Sequence, residues 1–234
     1  GTEETMANGN GRVGINYYLP ECTFTAPKGK KFKAWSVGNN EYQPGDKIII
    51  RSNTIVTALW IDYTPEITIT DGEEVTLEDG ILYKNIVYNR TLNKGKFGTI
   101  ILPFVPDATT LSNYVFYELI SNNGSTLTFK KVDLPVAGKP YLYKLTETGI
   151  EGSALTASNV MVSTTIIPKT VDGLTMTGTF DKLIIDCTNA DKNYYAYSSA
   201  NNEINRVTKS LTVNPFRTYF TTDATSGAKQ MQIV

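Results

Sequence analysis

Apolar and polar positions alternate along much of this chain. Leu174, Met176, Gly178 and Phe180 alternate with Thr175, Thr177 and Thr179, the period-two pattern of a half-buried strand. Short strand-like runs between turn signals recur at 67–70, 86–88, 99–102, 115–120, 126–129 and 141–143, and again at 183–185, 194–197 and 215–220. Residues 47–51 and 55–60 flank Ser52-Asn53-Thr54 and read as a hairpin, and Asn123-Gly124 reads as the primed turn of another. Helical signals are confined to one turn at 107–111, with Asp107 as its cap. Asp62-Tyr63-Thr64-Pro65 marks the best boundary. The predicted fold class is all-β, with a small β-grasp-like or repeat module at 1–62 followed by a larger antiparallel β-sandwich at 66–234.

Composition narrows the chemistry. The 234 residues are 41% hydrophobic and 19% charged, which suits packed domains rather than a disordered chain. A formal net charge of −1 and a pI near 5.6 argue against nucleic acid as a partner. No run approaches the roughly 18 apolar residues of a membrane helix, so no membrane insertion is expected. Histidine is absent, which removes His-dependent nucleophile machinery and His-containing metal sites. Cys22 and Cys187 fall in different predicted domains and are expected to be free thiols. No cofactor and no metal are expected.

Tyr18-Leu19-Pro20, Phe32, Trp35, Tyr42-Gln43-Pro44-Gly45-Asp46 and Thr57-Ala58-Leu59-Trp60 follow one another within the first quarter of the chain. This arrangement resembles the Listeria–Bacteroides repeat, an internalin B-type module of exported and surface proteins. The resemblance implies an extracellular or cell-surface setting and a module whose first strand is missing, residues 1–6 corresponding to the stretch after it. Ala34 replaces the glycine common before the first Trp. Downstream, Asn89-Arg90-Thr91-Leu92, Leu102-Pro103-Phe104, Ala137-Gly138-Lys139-Pro140-Tyr141-Leu142 and Pro215-Phe216-Arg217-Thr218-Tyr219-Phe220 occur in order. They resemble an uncharacterised C-terminal β domain of exported Bacteroidales proteins, which implies a β-sandwich ending a multi-module polypeptide.

Candidate site residues each carry two readings. Trp35 and Trp60, the only tryptophans, are read as core anchors of a small domain rather than as sugar-stacking faces. In Tyr194-Tyr195-Ala196-Tyr197, alternation puts Tyr195 and Tyr197 on one face, where they form either a ligand platform or a packed rim; Tyr141 and Tyr143 are read as a rim with hydroxyls in water. Arg217, set among apolar and aromatic residues, either takes a ligand carboxylate or pins the last strands through an internal acceptor. Asp71-Gly72-Glu73-Glu74 supplies oxygens of the kind Ca²⁺ takes but lacks calcium-loop spacing, so a solvated turn is the default. The sequons at Asn89 and Asn123 are treated as chance.

The sequence therefore predicts a non-catalytic structural or adhesive segment of an exported bacterial surface protein. Its expected partners are other modules of the same polypeptide and a host or dietary glycan or surface protein, with the chain itself monomeric. A carbohydrate-binding module using the strand tyrosines is the alternative, and a His-independent glycoside hydrolase with paired carboxylates the third reading.

Overall fold

The computed structural model describes residues 5–7, 13–188, 191–223 and 228–234. The protein is all-β, with one short helix among the described residues. It divides into two compact units, Gly1–Thr64 and Pro65–Val234. No helix among the described residues is long and apolar enough to cross a membrane.

The N-terminal unit contains β1 (Thr5–Ala7), β2 (Val13–Tyr18), β3 (Lys30–Val37), β4 (Asn40–Tyr42), β5 (Lys47–Ile50) and β6 (Val56–Asp62). They form two three-stranded sheets, ordered β1-β2-β5 and β4-β3-β6. Of residues 1–6, assigned to the stretch after a missing strand, 1–4 lie outside the described residues, whereas Thr5 and Met6 belong to β1. A register shift between Phe32 and Ala34 breaks the inward–outward alternation of β3, so Ala34 and Trp35 are both buried, at 0% and 5% exposure. Trp35 packs with Leu19 and Ile48, and its Nε1 donates to the Pro20 carbonyl at 2.8 Å. The Gln43-Pro44-Gly45-Asp46 motif closes as a type II turn. Proline presets its second position, Gly45 takes φ +87° at the third, and Asp46 N–H donates to the Gln43 carbonyl at 3.0 Å. Leu19 is tied to that turn by two backbone bonds, from Leu19 N–H to Asp46 O and from Gly45 N–H to Leu19 O.

The hairpin expected around Ser52-Asn53-Thr54 does not form. β5 pairs with β2, whereas β6 pairs with β3, so the segment between them crosses from one sheet to the other. The pairing follows core demand: Ile48 faces Trp35 from one sheet while Ala58 and Val56 meet the same cluster from the other.

The C-terminal unit runs β7 (Glu66–Thr70), β8 (Leu82–Asn89), β9 (Gly98–Ile101), α1 (Ala108–Asn113), β10 (Tyr114–Asn122), β11 (Thr126–Val132) and β12 (Pro140–Leu145). It continues through β13 (Leu155–Met161), β14 (Lys169–Val171), β15 (Leu174–Thr179), β16 (Leu183–Asp186) and β17 (Lys192–Ser198). The last strands are β18 (Glu203–Val207), β19 (Ser210–Val213), β20 (Arg217–Asp223) and β21 (Gln230–Ile233). A ten-stranded sheet follows the order β14-β15-β20-β17-β18-β21-β11-β10-β12-β9, beside a three-stranded sheet β13-β8-β7 and the ribbon β16-β19. Pairing is antiparallel except for β7 with β8 and β11 with β21. Asp107 caps α1 by accepting from Thr110 N–H at 3.0 Å, as its sequence signature predicts.

The large sheet has a core on each side of β10 and β12, towards one end of the strand order. Leu142 of β12 joins Leu174, Met176, Tyr195, Ile204, Phe220 and Met231 within the curl of the sheet. Tyr141, Tyr143 and Leu145 on the opposite face of β12 join the cluster shared with β7, β8 and β13. Strand β12 is consequently buried on both faces, and Tyr141 and Tyr143 are 4% and 0% exposed rather than lying at a wet rim. Val136 N–H donates to the Tyr141 hydroxyl, and burial pushes the titration of both phenols upward. The β10–β11 hairpin forms as read, but Gly124 and Ser125 are its two central residues. Gly124 has φ +91°, and Asn123 instead uses its side chain to accept from Ser125 and Thr126 N–H.

The sheet curls until β9 returns against β20. Ile101 N–H donates to the Phe216 carbonyl at 3.1 Å, and Thr218 N–H reaches the Thr99 hydroxyl at 3.4 Å. A threonine side chain thus stands in for part of the backbone ladder at this seam.

Candidate functional site

A cleft of about 640 Å³ opens beside that seam. Three chain segments build it: the loop and strand start from Arg90 to Thr99, the end of β17 with the following turn, and the stretch from Leu211 to Thr218. Arg90, Lys96 and Arg217 stand in its wall, together with Asn93, Thr212 and Asn214, and among the described residues no aspartate or glutamate lines it. Phe97 and Tyr197 supply the aromatic surface. The volume falls within the ~300–1,000 Å³ usual for small-molecule clefts, but its walls are more polar than most.

The arginines are fixed from beneath by Asp71, which lies just past β7. Arg217 Nη2 donates to both carboxylate oxygens of Asp71, at 2.7 and 2.6 Å. The Tyr88 hydroxyl donates to the same carboxylate at 2.9 Å, and Arg90 Nε lies 4.0 Å from it. Arg90 is 5% exposed overall; its Nη1 donates to the Thr99 carbonyl at 2.7 Å and its guanidinium lies 5.0 Å over the Tyr143 ring. Gly98 makes this stack possible, because a Cβ there would sit 2.6 Å from Tyr143 Cε1 and 3.1 Å from an Arg90 nitrogen. Two guanidinium charges against one carboxylate leave the cluster cationic. Burial pushes the Tyr88 phenol up, and the neighbouring Asp71 adds to that rise while Arg90 and Arg217 oppose it.

Arg217 is aimed by an unusual backbone. Phe216, just before it, has φ +63°, a left-handed conformation that costs a bulky residue about 1–2 kcal/mol. Its ring is 1% exposed and packs 5.1 Å from Tyr88 and 5.9 Å from Phe180, while its N–H and carbonyl are bonded to Thr179 and Ile101. These contacts hold the strained residue and turn Arg217 toward Asp71.

The residues singled out in the sequence do not converge. Tyr195 is 0% exposed, with its ring in the core and its hydroxyl sealed there without a hydrogen-bond partner among the described residues, so it cannot present a stacking face. Tyr197 packs against the same core from the cleft wall and donates to the Asn202 side chain at 2.9 Å. The rings on the opposite face are Tyr194 and Tyr219, whose centroids lie 6.3 Å apart. Trp35 is a core residue; Trp60 is half-buried and meets Phe32 edge-on at 6.1 Å outside the buried cluster. Cys22 and Cys187 are free and partly exposed. Asp71, read as part of a solvated turn, is committed to two arginines and a tyrosine. Sequence reading missed Lys96 and Thr99 as site residues, quoted Arg90 only within a motif, and weighed Asp71 only as an oxygen donor to a cation. Arg90 carried a usable signal, an arginine directly after an apolar strand.

No protein family, no curated protein and no solved structure matches the chain.

Proposed function

We propose that this chain is a non-catalytic adhesive segment of an exported bacterial surface polypeptide, with the larger unit doing the gripping. The observation that carries this reading is the cleft: some 640 Å³ framed by cations and hydrogen-bonding side chains, with no carboxylate in its wall among the described residues. Acid–base hydrolysis of a glycoside would want two carboxylates facing each other across the substrate, typically about 5–10 Å apart. Binding needs only complementary polar groups held still, and the Asp71 cluster and the seam hold these. The sequence resemblance to the internalin B-type repeat supports the extracellular setting and a role for the small unit as a spacer between modules.

The burial of Tyr195 weakens the version of the carbohydrate reading that rests on a strand platform. A glycan partner would instead meet Tyr197 from the cleft side.

The test is retention of the protein on immobilised mucin, plant polysaccharides and extracellular-matrix proteins, with reducing ends assayed in the same wells. Retention without release of sugar is expected. Reproducible release of reducing ends, abolished by changing one carboxylate, would overturn the non-catalytic reading. Retention that survived Thr212→Trp, a substitution that fills the cleft from an exposed position, would overturn the assignment of the grip to it.

A further inference from the structure

Charge within the cleft narrows what it would hold. Asp71 engages Arg217 through Nη2 alone, so the Nη1 corner of the guanidinium remains for a second acceptor. Lys96 forms no ion pair among the described residues and is partly exposed. The loop that carries it is braced from outside. Lys94 N–H donates to Glu151 at 2.6 Å, Lys94 Nζ donates to the Glu147 carbonyl at 2.8 Å, and Lys96 N–H closes a turn on the Asn93 carbonyl. Lys96 and Arg217 therefore stand in the wall of one cleft on supported backbone, with Arg90 behind them and no acid of the wall between. A low-dielectric wall carrying one sign of charge concentrates ligands of the other sign.

The remainder of the wall describes the body of the ligand. Asn93, Ser199, Thr212 and Asn214 offer exposed amide and hydroxyl groups able to both donate and accept, which suits a polyhydroxyl ligand. Phe97 and Tyr197 supply the aromatic part of the wall, enough for one face of a sugar ring, while Leu92, Ala196, Ala200, Leu211 and Val213 add only small or largely buried apolar surface.

We propose that the cleft binds an acidic saccharide, with a carboxylate or sulfate group held between Arg217 and Lys96 and sugar hydroxyls met by the surrounding amides and hydroxyls. This inference rests on the reading of the cleft as the gripping site. The Nη1 corner of Arg217 can donate to either anion, and Lys96 adds a point charge.

The experiment is calorimetric titration of the whole chain with trigalacturonate, its methyl ester, a sulfated chondroitin disaccharide and neutral maltotriose. Trigalacturonate or the sulfated sugar should bind, whichever does so showing which anion the cleft prefers. Its neutral counterpart should bind at least tenfold more weakly. Lys96→Glu should weaken the acidic ligand at least tenfold with an unchanged thermal transition, while Thr212→Trp should abolish binding. Equal binding of the methyl ester or maltotriose, lost in Thr212→Trp, would overturn the acidic assignment yet leave the cleft as the grip. Acidic binding indifferent to Lys96→Glu would also overturn it. Absence of binding by every saccharide, with retention on surfaces still lost in Thr212→Trp, would overturn the saccharide assignment alone. If retention is indifferent to Thr212→Trp, both readings fall.

Discussion

In the N-terminal unit the buried cluster consists of Leu19, Trp35 and Ile48, with a fringe of half-buried residues around it. In the C-terminal unit two clusters fill both sides of a curled sheet, and an ionic knot of Asp71, Arg90 and Arg217 ties the layers together. The difference follows from size. A unit of about sixty residues buries a smaller fraction of its surface than a large one and has to concentrate its stability in a few side chains. The larger unit has apolar burial enough to carry unfavourable features inside, including the strained Phe216 backbone and the sealed Tyr195 hydroxyl. Surplus stability in one unit is what permits a charged cleft there.

Trp35→Ala is the sharpest test of this contrast. It should cost the small unit about 3–5 kcal/mol, as for other buried aromatic truncations, and unfold it while the large unit keeps its own transition in chemical denaturation. A shift of the large unit's transition would show that the two do not stand on separate cores. Asp71→Asn should come next, at about 2–3 kcal/mol on the large unit. That lies below the ~3–5 of a fully buried pair because Asp71 is 31% exposed. Replacing Asp71 by Asn and Arg217 by Met together should recover part of the loss; no recovery would mean the knot acts through Arg90 rather than through both arginines. Trp60→Ala should cost only about 1–2 kcal/mol, since the ring is half-buried and keeps one edge contact with Phe32. A loss equal to that of Trp35→Ala would erase the distinction between the two tryptophans.

The smallest expected effect is alkaline. Burial pushes Tyr114 up to about 12 and raises Tyr143 as well, with Arg90 opposing both rises. Folded protein therefore keeps the Tyr114 proton between about pH 10 and 12, where an unfolded chain releases it, and Tyr143 acts in the same direction. Stability from these groups is complete below pH 10 and declines as pH rises through that interval. Denaturation midpoints of the large unit measured from pH 8 to 11.5 should fall above pH 10, and Tyr114→Phe should flatten the decline. A profile that stays level would show that neither phenol is shielded.

What the sequence revealed tracks how local each interaction is. β15 was legible because Thr175 and Thr177 alternate with Leu174 and Met176, so one face is apolar and one polar. The helical turn was legible because Asp107 bonds three residues ahead. β12 misled because a strand buried on both faces presents Tyr141 and Tyr143 as well as Leu142 to apolar surroundings, and alternation then carries no information. The hairpin after β5 misled because a turn-like segment can equally cross between sheets. Arg217 announced its need for an acceptor, but Asp71 lies 146 positions away, and no local pattern can match those two. The cleft is further still from local sequence, since its wall joins residues 90–99 to 196–218 through a sheet that must first curl.

Strand order in that sheet has a consequence for how the unit is made. β21, the last strand, lies between β18 and β11, antiparallel to one and parallel to the other, and Met231 enters the core. Val234 continues the ladder by exchanging bonds with Leu127 and Phe129. Before residues 230–234 are in place, the strands on either side are two half-sheets with unsatisfied edges facing one another. Every route to the finished sheet must close loops of about a hundred residues, which makes acquisition of structure slow and late rather than sequential. The large unit stays pliable until residues 230–234 are available, and then sets as one piece.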